Sequence, residues 1–284
     1  MKTYCFYHAG CPDGFGAAFS AWSALGAESQ YIARGHDDDP LDPEQFEDAR
    51  AIFVDIAPSN EELRALSPVI QRITVLDHHL TSRDRYHSDP EIVGIMQAQG
   101  HEIVFDLRHS GAILAWNHFF SDREPPMLLR YVEDQDLWNW SLPQSEEINA
   151  ALGSYRRDFA TWSMLIEQPI EKLAEEGSSI VRLNRIQVER SVTHAHMVRI
   201  DGQRVEAVNA IENRSTIGHV LAERARFDDP WGCVYRVEGD RVNATLYSVG
   251  DFDVARIAAQ LGGGGHRNAA GFSVPLKDWL ADFL

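Results

Sequence analysis

Over about the first 80 residues, short strand-like runs rich in apolar and β-branched residues alternate with segments whose apolar positions recur at helical spacing. TYCFYH (Thr3–His8), QYIAR (Gln30–Arg34), AIFVD (Ala51–Asp55) and RITVLD (Arg72–Asp77) read as strands. GFGAAFSAWSAL (Gly14–Leu25) reads as a helix of small residues, and Pro58-Ser59-Asn60 opens another helix with Glu61 and Glu62 in its first turn. This alternation predicts βαβ units and a parallel sheet. Downstream, EIVFDL (Glu102–Leu107) reads as a strand, SGAILAWNHFF as a helix capped by Ser110, and Leu128–Trp140 as an apolar segment interrupted by EDQD.

From Ile170 to Val198 the pattern is that of one long, charged, amphipathic helix with Gly177 as a weak point. Beyond it, QRVEAVNA, WGCVYRVEG and RVNATLYSV read as strands, with a helix between the first two, and DFDVARIAAQL as a further helix before GGGGHRNAAGFSVP. The fold class expected is α/β: a parallel-sheet N-terminal domain over residues 1–170, a helical connector over 171–198 and a smaller α/β domain over 199–284.

The strands of the first domain stop at groups that bind metals and carry protons. His8, Asp55 and Asp77 close three of them, and His78 and His79 follow Asp77 directly. In open α/β sheets ligands bind outside the carboxyl ends of the strands, so these termini should meet at one crevice. Asp13 follows the first strand, and Asp134 and Asp136 occur later in the chain. Taken one by one, an Asp after a strand is usually a cap or turn residue, and a single His is usually structural. Together, imidazoles and carboxylates without a thiolate cluster suit Mn²⁺ or another mid-series divalent ion. Several bridging carboxylates suit two ions about 3.5–4 Å apart that activate a water for attack at phosphorus.

Charge narrows the substrate. The formal net charge of −17 over 284 residues opposes the many Lys/Arg–phosphate contacts that long nucleic acid requires. A long duplex is therefore excluded, and a small anionic substrate offset by metal ions or a few local cations is retained. Cys5, Cys11 and Cys233 are odd in number and lack CxxC spacing, which fits a reducing compartment. No apolar run approaches the roughly 20 residues of a membrane span, and the N-terminal segment lacks a signal-peptide pattern, so a cytoplasmic protein without a membrane partner is expected.

Four consecutive glycines, Gly262 to Gly265, would let backbone N–H groups surround an anion, with His266 and Arg267 at the rim. Core packing cannot explain four consecutive glycines after a helix. The competing flexible linker is disfavoured because HRNAAGFSV returns at once to an ordered, apolar pattern.

LDHHLT (Leu76–Thr81), the upstream YHAGCPDGFGAA (Tyr7–Ala18) and the downstream GGGGHRNAAGF (Gly262–Phe272) resemble, in order and spacing, the signatures of the DHH phosphoesterase family with its associated C-terminal domain. That family includes RecJ-type exonucleases, nanoRNases acting on very short RNA, cyclic-dinucleotide phosphodiesterases and pyrophosphatases, typically Mn²⁺-dependent. The resemblance implies that His8, Asp13, Asp55, Asp77 and His78 are metal ligands, with Asp55 bridging two Mn²⁺ ions. Asp136 is preferred over Asp134 as the last ligand, because an Asp before a hydrophobic residue and Trp is common there in the family. His79 is implied as a ligand or as a partner of the substrate phosphate, so that Asp77 and His79 are the catalytic pair. Gly263, Gly264, Gly265, His266 and Arg267 would bind substrate, with His266 in direct contact.

The chain departs from the family pattern in two places. The usual first motif is HxDxDG, whereas His8-Ala9-Gly10-Cys11-Pro12-Asp13-Gly14 is one residue longer and carries Cys11 where the first Asp would fall. Cys11 reads as an inert small residue beside Pro12, which would weaken one ion site; the alternative is a softer ligand that shifts metal preference. Tyr247 stands where many members carry Arg and reads as a packing residue, with base stacking as the alternative. SGAILAW (Ser110–Trp116) resembles a helix start of the family's first domain, whose N–H groups could face an anion. The acidic residues Asp37 to Asp39 are assigned no role.

The function expected is metal-dependent hydrolysis of phosphodiester or phosphomonoester bonds in short RNA or a small nucleotide, with a homodimer left open. The alternatives are a catalytically weak nucleotide-binding module, favoured only by the altered first motif, and a polyphosphatase or pyrophosphatase, which the GGGGH element opposes.

Overall fold

A computed structural model describes residues 1–35 and 38–284; Asp37 lies outside the described residues. The strands β1 (Thr3–His8), β2 (Gln30–Arg34), β3 (Arg50–Val54), β4 (Arg72–Asp77) and β5 (Glu102–Phe105) form one sheet in the order β2-β1-β3-β4-β5, every pair parallel. Helices sit on both faces of such a sheet, so its central strands must be apolar on both sides. Cys5, Phe6, Ile52, Phe53, Val75 and Leu76 are accordingly buried without alternation.

Helices α1 (Pro12–Leu25) and α5 (Gly111–Phe119) cover one face, where Ala17, Ala21 and Ala115 pack on Cys5, Ile52 and Val54. On the other face, α2 (Asn60–Leu66) and α4 (Pro90–Ala98) contribute Leu63, Leu66, Ile92 and Met96 against Phe6, Phe53, Ile73 and Val75. Helix α3 (Leu80–His87) leaves the end of β4, with His79 at its N-terminal boundary. Helices α6 (Met127–Asp136), α7 (Ser145–Ser154) and α8 (Phe159–Glu167) extend the α1–α5 layer through Leu128, Leu129, Ile148, Leu152 and Trp162.

Helix α9 spans Ile170–Val192 and runs unbroken through Gly177. Gly177 is a close-approach position, because a Cβ there would lie 1.8 Å from the Glu147 carbonyl oxygen of α7. The helix expected to reach Val198 ends at Val192. The segment β6 (His196–Ile200) is a strand, since Val198 and Ile200 alternate with exposed Met197 and Arg199 and pair with β7 (Gln203–Asn209). Its period is two, and β-branched residues fall on the buried face.

Two compact units meet within α9: Met1–Val181 and Arg182–Leu284. The second holds a mixed sheet in the order β10-β11-β9-β8-β7-β6. It comprises β8 (Trp231–Glu238), β9 (Arg241–Ser248), β10 (Gly264–His266) and β11 (Ala269–Pro275) besides β6 and β7, and only the β7–β8 pair is parallel. Helix α10 (Arg214–Arg224) places Ile217 and Leu221 against Val208 and Val234, and helix α11 (Val254–Gln260) joins the separate cluster with Leu246, Phe272 and Trp279. The Tyr247 ring lies against Gly218, where a Cβ would fall 2.0 Å from it, so this tyrosine is part of the α10 packing.

Candidate metal centre

Strand order fixes where the site forms. After β1 the chain passes to β2 on one side, and β3 then pairs with β1 on the other, so the chain reverses direction across the sheet between β1 and β3. Crevices open at the carboxyl ends of strands flanking such a reversal. His8 ends β1 and Asp55 follows β3, and the His8 Nδ1–Asp55 Oδ2 separation is 3.3 Å.

Asp55 has φ +58°, a left-handed conformation that costs an L-residue roughly 1–2 kcal/mol. Asp is among the few side chains that tolerate it, and the surrounding structure holds it there. Its amide donates to the Leu76 carbonyl at 2.9 Å. On its other side Gly111 leaves room, since a Cβ at that position would stand 2.4 Å from the Asp55 Cβ.

Asp13 lies in the first turn of α1, close to the end of β1. The contact is possible because residue 14 is glycine: a Cβ there would be 2.1 Å from the His8 carbonyl oxygen. Both oxygens of the Asp13 carboxylate are held by the start of α5, with Gly111 N–H donating at 2.7 Å and Ala112 N–H at 3.0 Å. The N–H groups expected to face an anion therefore face the chain's own Asp13. The Ser-Gly helix start signalled N–H groups facing an anion; that the anion is Asp13, distant in the chain, carries no local signal.

His78 is buried and sits among three carboxylates. Its Nε2 is 2.9 Å from Asp55 Oδ1, 3.6 Å from Asp13 Oδ2 and 3.6 Å from Asp136 Oδ2. Burial alone would lower its pKa, but Asp55, Asp136 and Asp13 together push it up to about 10. Burial and the neighbouring carboxylates raise Asp13 well above the usual carboxylate range and raise Asp136 as well. Burial acts on Asp55 in the same direction, yet hydrogen bonds from His78 and His8 hold it well below that range. Three crowded carboxylates thus share too little positive charge, a condition that a divalent cation relieves.

Among the described residues of this unit, two groups bring three ligand atoms within 4.8 Å of one another: His8, Asp55 and His79, and Asp13, His78 and Asp136. Asp77 stands in neither group. Its Oδ1 accepts from His78 N–H at 2.8 Å and His79 N–H at 3.3 Å, and pairs with His79 Nδ1 at 2.7 Å, which orients that ring. Among the described residues its Oδ2 is buried without a hydrogen-bond partner, as is Asp136 Oδ2. Orphaned, buried carboxylate oxygens beside imidazoles fit a divalent ion, because an unpaired buried charge is costly without one. The donor set therefore suits the metal that the motifs imply.

Asp134 and Asp136, two residues apart on α6, differ in their contacts. Asp134 Oδ1 accepts from Ser141 N–H at 2.9 Å and Ser141 Oγ–H at 2.7 Å, and Oδ2 accepts from Leu142 N–H at 3.3 Å, so Asp134 fastens the loop after the helix. Asp134→Asn should therefore cost about 1–3 kcal/mol, as an amide N–H comes to oppose a backbone N–H, with bound metal unchanged. Asp136→Asn should leave thermal stability near wild type and weaken metal binding by at least the roughly 10–100-fold lost with an outer partner. Melting curves and metal content of both variants check the assignment, and the reverse pattern would exchange the two roles.

In the second unit, the glycine run is a structural element as well as a loop. Gly264–His266 is β10 and pairs with Ala269–Gly271 of β11. A Cβ on Gly263 would lie 1.9 Å from the Gly271 carbonyl oxygen, and one on Gly265, at φ +143°, 2.6 Å from that of Ala269. The expectation that packing cannot account for these glycines is thus corrected, because strand-to-strand approach requires two of them. The Arg267 guanidinium is held by Asp251, through its carbonyl at 2.7 Å and its carboxylate at 3.2 Å.

No protein-family model matches the chain. It is 29% identical over 288 aligned positions to the uncharacterized protein R106 of Acanthamoeba polyphaga mimivirus, covering 94% of this chain and 66% of that protein. Among solved structures, RecJ in complex with Mn²⁺ from Thermus thermophilus is 16% identical with a TM-score of 0.48, covering 99% of this chain and 50% of that one. An exopolyphosphatase-related protein from Bacteroides fragilis is 13% identical with a TM-score of 0.49, covering 95% and 86%. The pGpG-specific phosphodiesterase PggH from Vibrio cholerae is 12% identical with a TM-score of 0.44, covering 99% and 96%. The chain thus spans less than two thirds of the mimiviral relative and half of RecJ. Among the described residues no helix is long and apolar enough to cross a membrane.

Proposed function

We propose that this chain is a divalent-metal-dependent phosphoesterase of the DHH type, acting on phosphodiester or phosphomonoester bonds of short oligonucleotides or small nucleotides. The observation that carries this reading is the gathering of His8, Asp55 and His79 beside Asp13, His78 and Asp136 at the carboxyl ends of parallel strands. Asp55 offers one carboxylate oxygen to each group. The motif resemblance supports the reading, and Mn²⁺ is the ion it implies.

A bound divalent pair supplies Lewis acidity at a phosphoryl oxygen and lowers the pKa of a water. The chain's residues do the rest. Asp55 spans the two groups, and Gly111 and Ala112 fix Asp13. Asp77 sets the ring of His79, which can then meet a phosphate oxygen. In the second unit, Gly263, Gly264, Gly265, His266 and Arg267 are proposed to hold the substrate phosphate. His78 carries a proton when metal is absent, so loading must displace it and affinity should rise with pH.

The acidic chain sets the substrate size. The 284-residue chain with Mn²⁺ should hydrolyse dinucleotides or small nucleotides in a panel that also includes cyclic nucleotides, inorganic pyrophosphate and ten-residue RNA. Its affinity should depend on salt with a slope worth one or two phosphate contacts, each about −0.7 in log K against log salt for single strands. Faster cleavage of the longer RNA with a steep slope would favour an extended nuclease groove. Nucleotide binding without turnover would leave a binding module instead.

A further inference from the structure

Cys11 stands beside the two ligand groups. Its Sγ is 3.4 Å from His8 Nδ1 and 3.5 Å from Asp55 Oδ2, and His8 Nδ1 is 3.3 Å from the same Asp55 oxygen. Three different donor atoms therefore form a nearly equilateral triangle. Tetrahedral geometry with Zn–N and Zn–O near 2.0 Å and Zn–S near 2.3 Å requires edges of about 3.3 Å for N···O and about 3.5 Å for either pair containing sulfur. The measured edges match this face of a tetrahedron, with the fourth corner left for water, substrate or His79.

The backbone explains why the sulfur points there. Cys11 is the N-cap of α1, with extended backbone angles, and its Sγ accepts the Gly14 N–H at 3.2 Å. Cap geometry thus holds the sulfur on the side of β1 that carries His8, and the left-handed turn at Asp55 presents the carboxylate to it.

We propose that His8, Cys11 and Asp55 are the protein ligands of one ion position, and that the Cys11 sulfur gives this position a preference for a thiophilic divalent ion, Zn²⁺ above Mn²⁺. The inference rests on the metal-dependent reading above and makes its ion pair unequal. The Cys11 position takes a soft ion, while Asp13, His78 and Asp136 form a harder, oxygen-rich position. A thiolate raises affinity along the order Mn²⁺ < Co²⁺ < Zn²⁺ more steeply than a carboxylate does. Binding forms a sulfur–metal bond and breaks the S–H bond, and the proton leaves to solvent.

Cobalt titration of the metal-free full chain tests this without recourse to activity. Wild type should show a near-ultraviolet thiolate-to-cobalt charge-transfer band together with visible ligand-field bands. Cys11→Asp and Cys11→Ser should keep the ligand-field bands and lose the charge-transfer band; both residues are good N-caps, so α1 should persist. In competition experiments Cys11→Asp should lower the Zn²⁺:Mn²⁺ affinity ratio by about 10–100-fold. Wild-type cobalt binding without a charge-transfer band, or an unchanged ratio in Cys11→Asp, would overturn the sulfur ligand and leave the metal-dependent reading standing. Failure of wild type to bind Co²⁺, Zn²⁺ or Mn²⁺ would overturn both.

Discussion

Asp55→Asn should strip divalent metal from the protein and lower hydrolysis by about 10³-fold or more, since the several kcal/mol of charge stabilisation supplied by bound metal correspond to a tenfold loss per 1.36 kcal/mol. Asn has the shape of Asp and, like it, tolerates the left-handed backbone seen at φ +58°. The substitution therefore removes charge with little demand on the fold. That charge faces two ways: Oδ2 lies 3.3 Å from His8 Nδ1 and Oδ1 lies 2.9 Å from His78 Nε2. Both ligand groups lose an anionic partner at once, whereas Asp136→Asn touches only one. Metal content, kcat/KM on the best small substrate and far-ultraviolet circular dichroism should be measured on one preparation. Wild-type metal content and turnover in a folded Asp55→Asn protein would remove Asp55 from the centre of the mechanism.

The succession of strands along the chain and the Asp and His residues at their ends could be read from sequence because both depend on local pattern. TYCFYH and RITVLD carry apolar residues at adjacent positions on both faces, as buried parallel strands do, and each stops at a polar residue where the sheet ends. What escaped depends on contacts distant in the chain. The donors that hold Asp13 come from Gly111 and Ala112, nearly a hundred residues away, and no local spacing announces that pairing. Asp134 and Asp136 carry the same side chain on the same helix; the resemblance alone preferred Asp136, and the loop at Ser141 and the ring of His78 give the two different contacts.

Three strands went unassigned, Ala269–Pro275 among them, and the other two escaped for a similar reason. His196–Ile200 follows the charged helix so closely that its alternation merges with the helical pattern, and Gly264–His266 lacks the β-branched residues that mark a strand. Both are held by pairing with a neighbour, β7 in one case and β11 in the other. The glycines of that second segment show how composition misleads. They read as freedom to wrap an anion, yet two are demanded by the carbonyl oxygens of β11.

Gly177 poses the same problem in a helix, and there the competing effects differ in sign. Helix propensity alone favours Gly177→Ala by about 1 kcal/mol. The structure sets against this a Cβ 1.8 Å from the Glu147 carbonyl oxygen and 2.5 Å from its carbon, both backbone atoms of α7 that no rotamer change can move. Relief requires α7 and α9 to separate by more than an ångström, which disturbs the packing of Ile148, Leu152, Leu173 and Ala174. Overpacking of this kind costs about 1–3 kcal/mol and more where backbone must shift, so the net effect should be destabilisation by about 2 kcal/mol. For a unit of this size that lowers Tm by about 4–8 °C. Gly153→Ala supplies the control: Gly153 also lies in a helix, α7, but nothing stands within 4 Å of its added Cβ. That variant should gain about 0.4–1 kcal/mol through reduced freedom of the unfolded chain. Opposite signs for the two variants in thermal melts are the expected result, and a Tm rise in Gly177→Ala would show that α7 and α9 do not approach as closely as the structure places them.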